Sequence, residues 1–175
     1  LPILRGDRAP FTSMDGPSIE VNGARSPRSA RYYRFLNPVA EAVARSHPGR
    51  SIGVLGYAGA EYPPEGFDVA RNIIPYLCFS RANWYNPEAR ARDLKATEAW
   101  ISRVDRIGVY EYLYGAPYSV PRLYSGRLAE FLADVAHRAP GSGFYAEIYS
   151  NHGLDGPKAW IAEKLLWNPR QDPQA

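Results

Sequence analysis

The sequence contains little sulfur and few lysines, and it has no long apolar run. Cys78 is the single cysteine among 175 residues, which excludes an internal disulfide and leaves no cysteine spacing suited to a metal. Positive charge comes almost entirely from arginine, without the basic runs of a nucleic-acid binder. No apolar stretch approaches the ~20 residues that a transmembrane helix needs. We therefore expect no metal, no nucleic-acid partner and no membrane span.

Tyrosine, by contrast, is abundant. The chain has 13 tyrosines and 4 tryptophans within an otherwise ordinary composition, 45% hydrophobic and 22% charged. Such a composition suits one globular domain or part of a larger one. A tyrosine ring has an apolar face and a polar tip, which fits the edge of a core and equally fits a sugar-binding site.

Short apolar runs alternate with amphipathic segments along the whole chain. We predict strands at 9–15, 51–57, 72–79, 106–113 and 143–148. We predict helices from residue 33 to about 47, from 87 to about 104, over 126–138 and over 157–167. This alternation indicates an α/β fold with a parallel sheet. The nucleotide-binding glycine motifs are absent from the sequence, so we expect no cofactor and favour a (β/α)8 barrel.

A complete (β/α)8 barrel needs roughly 250 residues. We therefore interpret residues 1–175 as a single segment, the C-terminal part of a TIM-barrel-like domain with about strands four to eight. Local signals refine two helices: Asn86 caps a helix that begins with Pro87, and Asp155 caps the last helix. Pro75 weakens the strand prediction around it.

Carboxylates or aromatic rings follow nearly every predicted strand, and in parallel α/β folds function collects at those C-terminal ends. Acids for proton transfer and rings for stacking are what a sugar site requires. The candidates, in chain order, are Asp15, Tyr57, Glu61, Tyr62, Arg81, Trp84, Tyr110, Glu111, Tyr112, Glu147, Asn151 and His152.

Each acid also has a structural explanation. Glu111 lies within an apolar strand, so it has either an arginine partner or a role in a site, and Glu147 is similar. Glu61 could cap a loop, and Asp15 could be a turn residue before glycine. His152 has no second histidine nearby and is more typical of a loop than of a metal ligand.

Several segments resemble an uncharacterised bacterial family, a domain of unknown function grouped with TIM-barrel glycoside hydrolases such as the α-glucuronidase and hexosaminidase-like barrels. The matching segments run in the family's order over nearly the whole chain. They are Ser13–Gly16, Tyr33–Asn37, Gly56-Tyr57 with Tyr62–Pro64, Tyr110–Tyr112, Gly143–Glu147 and Lys164–Pro169.

The resemblance implies a barrel in which Asp15 follows strand four and Glu111 lies on strand seven. Carboxylates at those two strand ends act in many TIM-barrel glycosidases, so the resemblance implies catalytic roles for both. It also implies a carbohydrate ligand, further domains in a longer chain, and an extracytoplasmic or secreted location.

Two functional hypotheses follow. In the first, the chain is a glycoside hydrolase in which Glu111 works with Glu147 or Asp15 and the remaining candidates bind the substrate. In the second, it is a non-catalytic carbohydrate-binding barrel domain, in which the acids only hydrogen-bond to sugar hydroxyls. A weaker third hypothesis is a scaffold segment without affinity for glycans.

Overall fold

A computed structural model describes residues 27–113, 123–148 and 152–171. The strands are β1 (Ile52–Gly56), β2 (Ile73–Cys78), β3 (Gly108–Tyr112) and β4 (Gly143–Glu147). The helices are α1 (Pro27–Ser46), α2 (Pro87–Ile101), α3 (Ser125–Arg138) and α4 (His152–Trp167), with a short 3-10 helix (Arg81–Tyr85) between β2 and α2. The strand predicted at 9–15 lies outside the described residues.

The four strands form one parallel sheet in the order β1-β2-β3-β4. This confirms the predicted α/β class and the strands of the described region. Pro75 does occur within β2, but the β2–β3 pairing runs only from Tyr76 to Cys78, so the proline lies before it. Within the described residues the sheet is open and does not close on itself.

One face of the sheet carries the hydrophobic core. Val54, Leu77 and Val109, which alternate onto the same face of their strands, are buried there. Every helix contributes to this core, through Tyr33, Trp100, Phe131 and Leu165 in chain order. The helices therefore all pack on this one side of the sheet.

The opposite face, which we call the open face, is rich in tyrosine. Strand alternation places Tyr76, Tyr110, Tyr112 and Tyr145 on it. Tyr145 is 54% exposed and Leu55, beside Tyr76 in the register, is 48% exposed. Parallel sheets are normally covered on both faces, so this exposure is unusual.

Tyr76 lies flat across the open face. A Cβ on Gly108 of β3 or on Gly143 of β4 would come closer to the Tyr76 side chain than the 3.0 Å that real Cβ contacts keep. Both glycines are therefore needed so that the ring can approach the backbones of two neighbouring strands.

A loop replaces the helix that normally connects β1 to β2. It spans residues 57–72 and is held by helices on both sides. The Asn37 side chain of α1 donates to the Asp68 carbonyl at 2.8 Å, and the indole N–H of Trp100 in α2 donates to the Glu61 carbonyl at 2.8 Å. The loop is thus part of the packed structure.

Two helix starts differ from the predictions. Helix α1 begins at Pro27 instead of near residue 33, because bonds such as Ser29 Oγ to the Tyr62 carbonyl (2.6 Å) extend its packed surface. Helix α4 begins at His152, so Asp155 is not its N-cap. Asp155 lies one turn further in and forms a buried ion pair with Lys158 at 2.7 Å.

Ala58, directly after β1 and Tyr57, has a left-handed backbone with φ of 52°. This conformation is strained for alanine and free for glycine. We expect Ala58→Gly to raise the free energy of unfolding by about 0.5–1 kcal/mol in urea titrations. The control is Gly59→Ala, which has φ of 94° and should lower it. If Ala58→Gly lowers the free energy of unfolding, the backbone of Ala58 is not strained.

Among the described residues, no helix combines the length and the apolar character that crossing a membrane requires.

Candidate functional site

The strand register brings five side chains of the open face together at the C-terminal end of the sheet. Cys78 lies beside Tyr110, Tyr110 beside Tyr145, and Tyr112 beside Glu147. We call these five residues the strand-end cluster. Three of the candidates predicted from sequence, Tyr110, Tyr112 and Glu147, are thus neighbours here.

Hydrogen bonding and ring contacts fix the geometry of the cluster. The Tyr110 hydroxyl donates to Oε1 of Glu147. The Tyr110 ring lies 4.8 Å from the Tyr145 ring and 5.4 Å from the Tyr112 ring, centroid to centroid. The result is a tilted stack of three rings with a partly exposed carboxylate at its edge. Such a surface can stack on an apolar ring face and accept hydrogen bonds from hydroxyl groups.

Carboxylates and burial raise the pKa values of two side chains at this end of the sheet. The hydrogen bond to Glu147, followed by burial, raises the pKa of the Tyr110 hydroxyl well above its usual value. Burial raises the pKa of the Cys78 thiol to about 12, and the charges of Glu61 and Glu147 add to this while Arg81 opposes it. Both carboxylates therefore act on the same position.

Burial, with the nearby carboxylates adding to it, predicts an unreactive cysteine. At pH 9 roughly one Cys78 thiol in a thousand is ionised in the folded chain, against about half when unfolded. Alkylation by iodoacetamide should therefore be at least ~100-fold slower in buffer than in urea. Glu147→Gln should speed the reaction of the folded protein, whereas Glu163→Gln, at an exposed position of α4, should not. Equal alkylation rates in buffer and in urea would contradict the burial of Cys78 in the folded chain.

Glu111 points to the other face of the sheet and is completely buried. Its Oε2 pairs with the Arg81 guanidinium at 3.2 Å, and its Oε1 accepts the backbone N–H of Tyr112 at 2.9 Å. Burial raises the pKa of the Glu111 carboxyl, while Arg81 and these hydrogen bonds oppose the shift. The arginine partner that the sequence left open as an alternative is thus present.

Arg81 is equally buried and joins the ends of two strands. Its guanidinium donates to the carbonyl oxygens of Phe79 at 2.8 Å and Tyr110 at 3.3 Å, and it lies 4.0 Å from the Phe131 ring. Because the β2–β3 pairing ends at Cys78, this ion pair takes over where the strand hydrogen bonds stop. Arg81 and Glu111 face the core, away from the strand-end cluster.

Trp84 is also a core residue. Only 4% of it is exposed, its indole N–H donates to Asp93 at 2.9 Å, and its ring packs edge-on against Phe131. It therefore presents no free ring face for stacking, and we leave it out of the candidate site.

The loop after β1 carries three candidates at the neighbouring strand end. Tyr57 is 56% exposed. Glu61 Oε2 accepts the backbone N–H of Gly59 at 2.8 Å, so Glu61 does cap a loop, and it also adds to the field at Cys78. Tyr62 is partly buried and donates to the Arg92 carbonyl at 3.2 Å, which directs its hydroxyl toward α2.

Three candidates cannot be placed in this arrangement. Asp15 and Asn151 lie outside the described residues. His152 begins α4, and its side chain also lies outside the described part. In the ranges that the structure describes, no three His, Cys, Asp or Glu side chains come together as metal ligands.

Tyr145 was missed as a site residue by the sequence analysis. The sequence pattern could have indicated it, because Tyr145 lies two residues before Glu147 in the same predicted strand and residues two apart share one face of a strand. Cys78 also borders the site, although its side chain is buried.

A cavity of about 330 Å³ lies between α2 and α3, on the side of the sheet opposite the open face. Ion pairs between Arg90 and Glu130 and between Arg138 and Glu98 join the two helices along it. Because these charged side chains already bind one another, the cavity is a weaker candidate for a ligand site than the strand-end cluster.

Comparison with known proteins identifies the family without naming an activity. No curated protein and no solved structure matches the chain. The family model of a domain of unknown function, DUF4838, matches residues 18–175, and the chain therefore belongs to this family.

Proposed function

We propose that the chain binds a glycan at the strand-end cluster, as one section of a larger (β/α)8 barrel. The observation that carries this proposal is the stack of Tyr110, Tyr112 and Tyr145 beside the Glu147 carboxylate. Sugar rings have apolar C–H faces and many hydroxyls, so exposed rings next to a carboxylate suit them.

The barrel part of the proposal is supported by where apolar side chains are exposed. Within the described residues twelve large hydrophobic side chains are exposed, and seven of them, besides the candidates Tyr57 and Tyr145, belong to or directly follow the outermost elements α1, β1, β4 and α4. They are Phe35, Val39, Leu55, Ile148, Trp160, Leu166 and Trp167. Further strands and helices that continue the barrel would cover these edges, whereas the C-terminal end of the strands, where the strand-end cluster lies, stays accessible in a (β/α)8 barrel.

Hydrolysis is the second candidate function, and the position of Glu147 favours it. This carboxylate lies at a strand end, is partly exposed, and is oriented by the Tyr110 hydroxyl. A glycosidase needs a second carboxylate, for which Glu61 and Asp15 are the remaining candidates. Glu111 is excluded from our proposal because it is buried on the core side and paired with Arg81.

A glycan array probed with the folded chain tests the proposal. We expect wild-type protein to bind a subset of glycans and Tyr145→Ala to lose that binding. Tyr85→Ala is the matched control, because Tyr85 is an exposed tyrosine (71%) on the 3-10 helix, outside the cluster. Product release that Glu147→Gln abolishes while binding persists would favour hydrolysis. No binding to any glycan would contradict both functions.

A further inference from the structure

The open face of the sheet is concave. The side chain of Tyr76 on β2 lies close to both edge strands: a Cβ on Gly53 of β1 would be 3.0 Å from one of its ring carbons, and a Cβ on Gly143 of β4 would overlap its hydroxyl oxygen. Strands three places apart in a flat sheet are separated by about 14 Å, too far for two groups of one phenol to contact both. The edge strands therefore curve toward each other, and the side chains of the open face line a hollow.

Tyr57, Cys78 and Tyr110 are neighbours on this concave face. The pairing of β1 with β2 ends with Gly56 beside Leu77, so the next residue, Tyr57, follows beside Cys78, and Cys78 pairs with Tyr110 on its other side. Alternation along β1 directs Tyr57 to the open face, where it is 56% exposed. A small side chain thus lies between two tyrosines that belong to the strands on either side of it.

The backbone next to Tyr57 is held in place from two sides. The Tyr57 carbonyl accepts the Ala60 N–H at 3.1 Å, which closes a turn around the left-handed Ala58. The Ala58 carbonyl in turn accepts from the Arg28 side chain of α1 at 2.8 Å. Strained backbone that its surroundings hold in this way clusters at ligand sites. We infer that the turn positions Tyr57 in advance of binding.

The gap between Tyr57 and Tyr110 fits the thickness of a sugar ring. Two strand spacings separate their backbones by about 9.5 Å, and the concave face brings the side chains closer together than that. A sugar ring in van der Waals contact with an aromatic ring on each side needs about 7–8 Å between those two rings. One side of Tyr110 packs against Tyr145, so its other side is directed toward Cys78, which is too short to fill the gap.

Resting on the proposed glycan site, we propose that a sugar ring binds between Tyr57 and Tyr110, above Cys78, and that this slot selects pyranoses whose ring substituents are all equatorial. Such sugars, with the configuration of glucose or xylose, present C–H groups on both faces of the ring. Mannose carries an axial hydroxyl on one face. In the slot that hydroxyl would be pressed against a tyrosine ring without a hydrogen-bond partner, which is unfavourable.

The test is calorimetric titration with the β-1,4-linked tetramers of glucose, xylose and mannose, of which the first and last differ only in the hydroxyl orientation at carbon 2. We expect the glucose and xylose tetramers to bind wild-type protein about three- to tenfold more tightly than the mannose tetramer, the effect of one additional aromatic contact. Tyr57→Ala should reduce this preference to less than about twofold, because every sugar can then stack on Tyr110 by one face. Tyr85→Ala, at an exposed tyrosine outside the slot, should keep it.

A second pair of variants changes the floor of the slot. Cys78→Leu places a larger side chain between the two tyrosines and should abolish the preference, whereas the matched control Cys78→Ala leaves the space open and should retain it. Tyr57→Ala alters an exposed side chain, so its result decides the question even if Cys78→Leu does not fold.

The other outcomes separate the slot from the proposed function. Equal affinity for the three tetramers overturns the selection and leaves glycan binding intact. A preference that Tyr57→Ala retains shows that the selection arises elsewhere and overturns the slot. Binding of other glycans on the array without binding of the glucose or xylose tetramer overturns this inference alone, whereas an array without any binding overturns the proposed function as well.

Discussion

Glu111→Ala should strongly destabilise the fold. It would leave the Arg81 guanidinium buried with no counter-charge and remove the acceptor of two backbone N–H groups, on Arg81 and Tyr112. Breaking a buried pair in this way costs about 3–5 kcal/mol. We expect the free energy of unfolding in urea to fall by that amount.

A double variant separates the lost ion pair from lost packing. Arg81→Met combined with Glu111→Leu replaces both charges by apolar groups and should be more stable than Glu111→Ala alone, because no buried charge is then unpaired. If Glu111→Ala costs less than about 1 kcal/mol, the pair is not the structural link that its buried contacts indicate.

Gly108→Ala should have the second large effect. The added methyl group would overlap the Tyr76 ring near its attachment to the backbone, where the side chain has little freedom to move. Overpacking of this kind costs about 1–3 kcal/mol. Thermal or urea unfolding of the variant measures it.

Tyr76→Ala provides the compensating change. The double variant Gly108→Ala with Tyr76→Ala should be more stable than the sum of the two single effects predicts, since the overlap disappears with the ring. The control is Gly126→Ala, at a position of α3 where an added Cβ meets nothing within 4 Å. Additive effects of the first pair would contradict the flat placement of Tyr76.

Local sequence patterns were sufficient for most elements of the fold. Asn86 does cap α2, accepting from the backbone N–H groups of Glu88 and Ala89, and Pro87 does begin the helix. The apolar runs correctly indicated β1 to β4. The predicted start of α1 was wrong because a tertiary contact with the loop after β1 extends this helix. The predicted start of α4 was wrong because Asp155, taken as a cap, lies inside the helix and pairs with Lys158 of the same helix.

The candidate site was predictable only in part, because it depends on register between strands about 35 residues apart. The sequence pattern predicted both Glu111 and Glu147 to lie at the C-terminal ends of strands. Alternation then separates them: Glu111 shares a face with Val109 and the core, whereas Glu147 shares a face with Tyr145. Which face is covered by helices cannot be read from one strand alone.

The most direct test of glycan recognition is calorimetric titration of the best array ligand into wild-type protein, Tyr145→Ala and Tyr85→Ala. We expect Tyr145→Ala to weaken binding at least tenfold, because it removes the most exposed ring of the strand-end cluster, and Tyr85→Ala to bind like wild type. Equal affinities for wild type and Tyr145→Ala would contradict the assignment of the site.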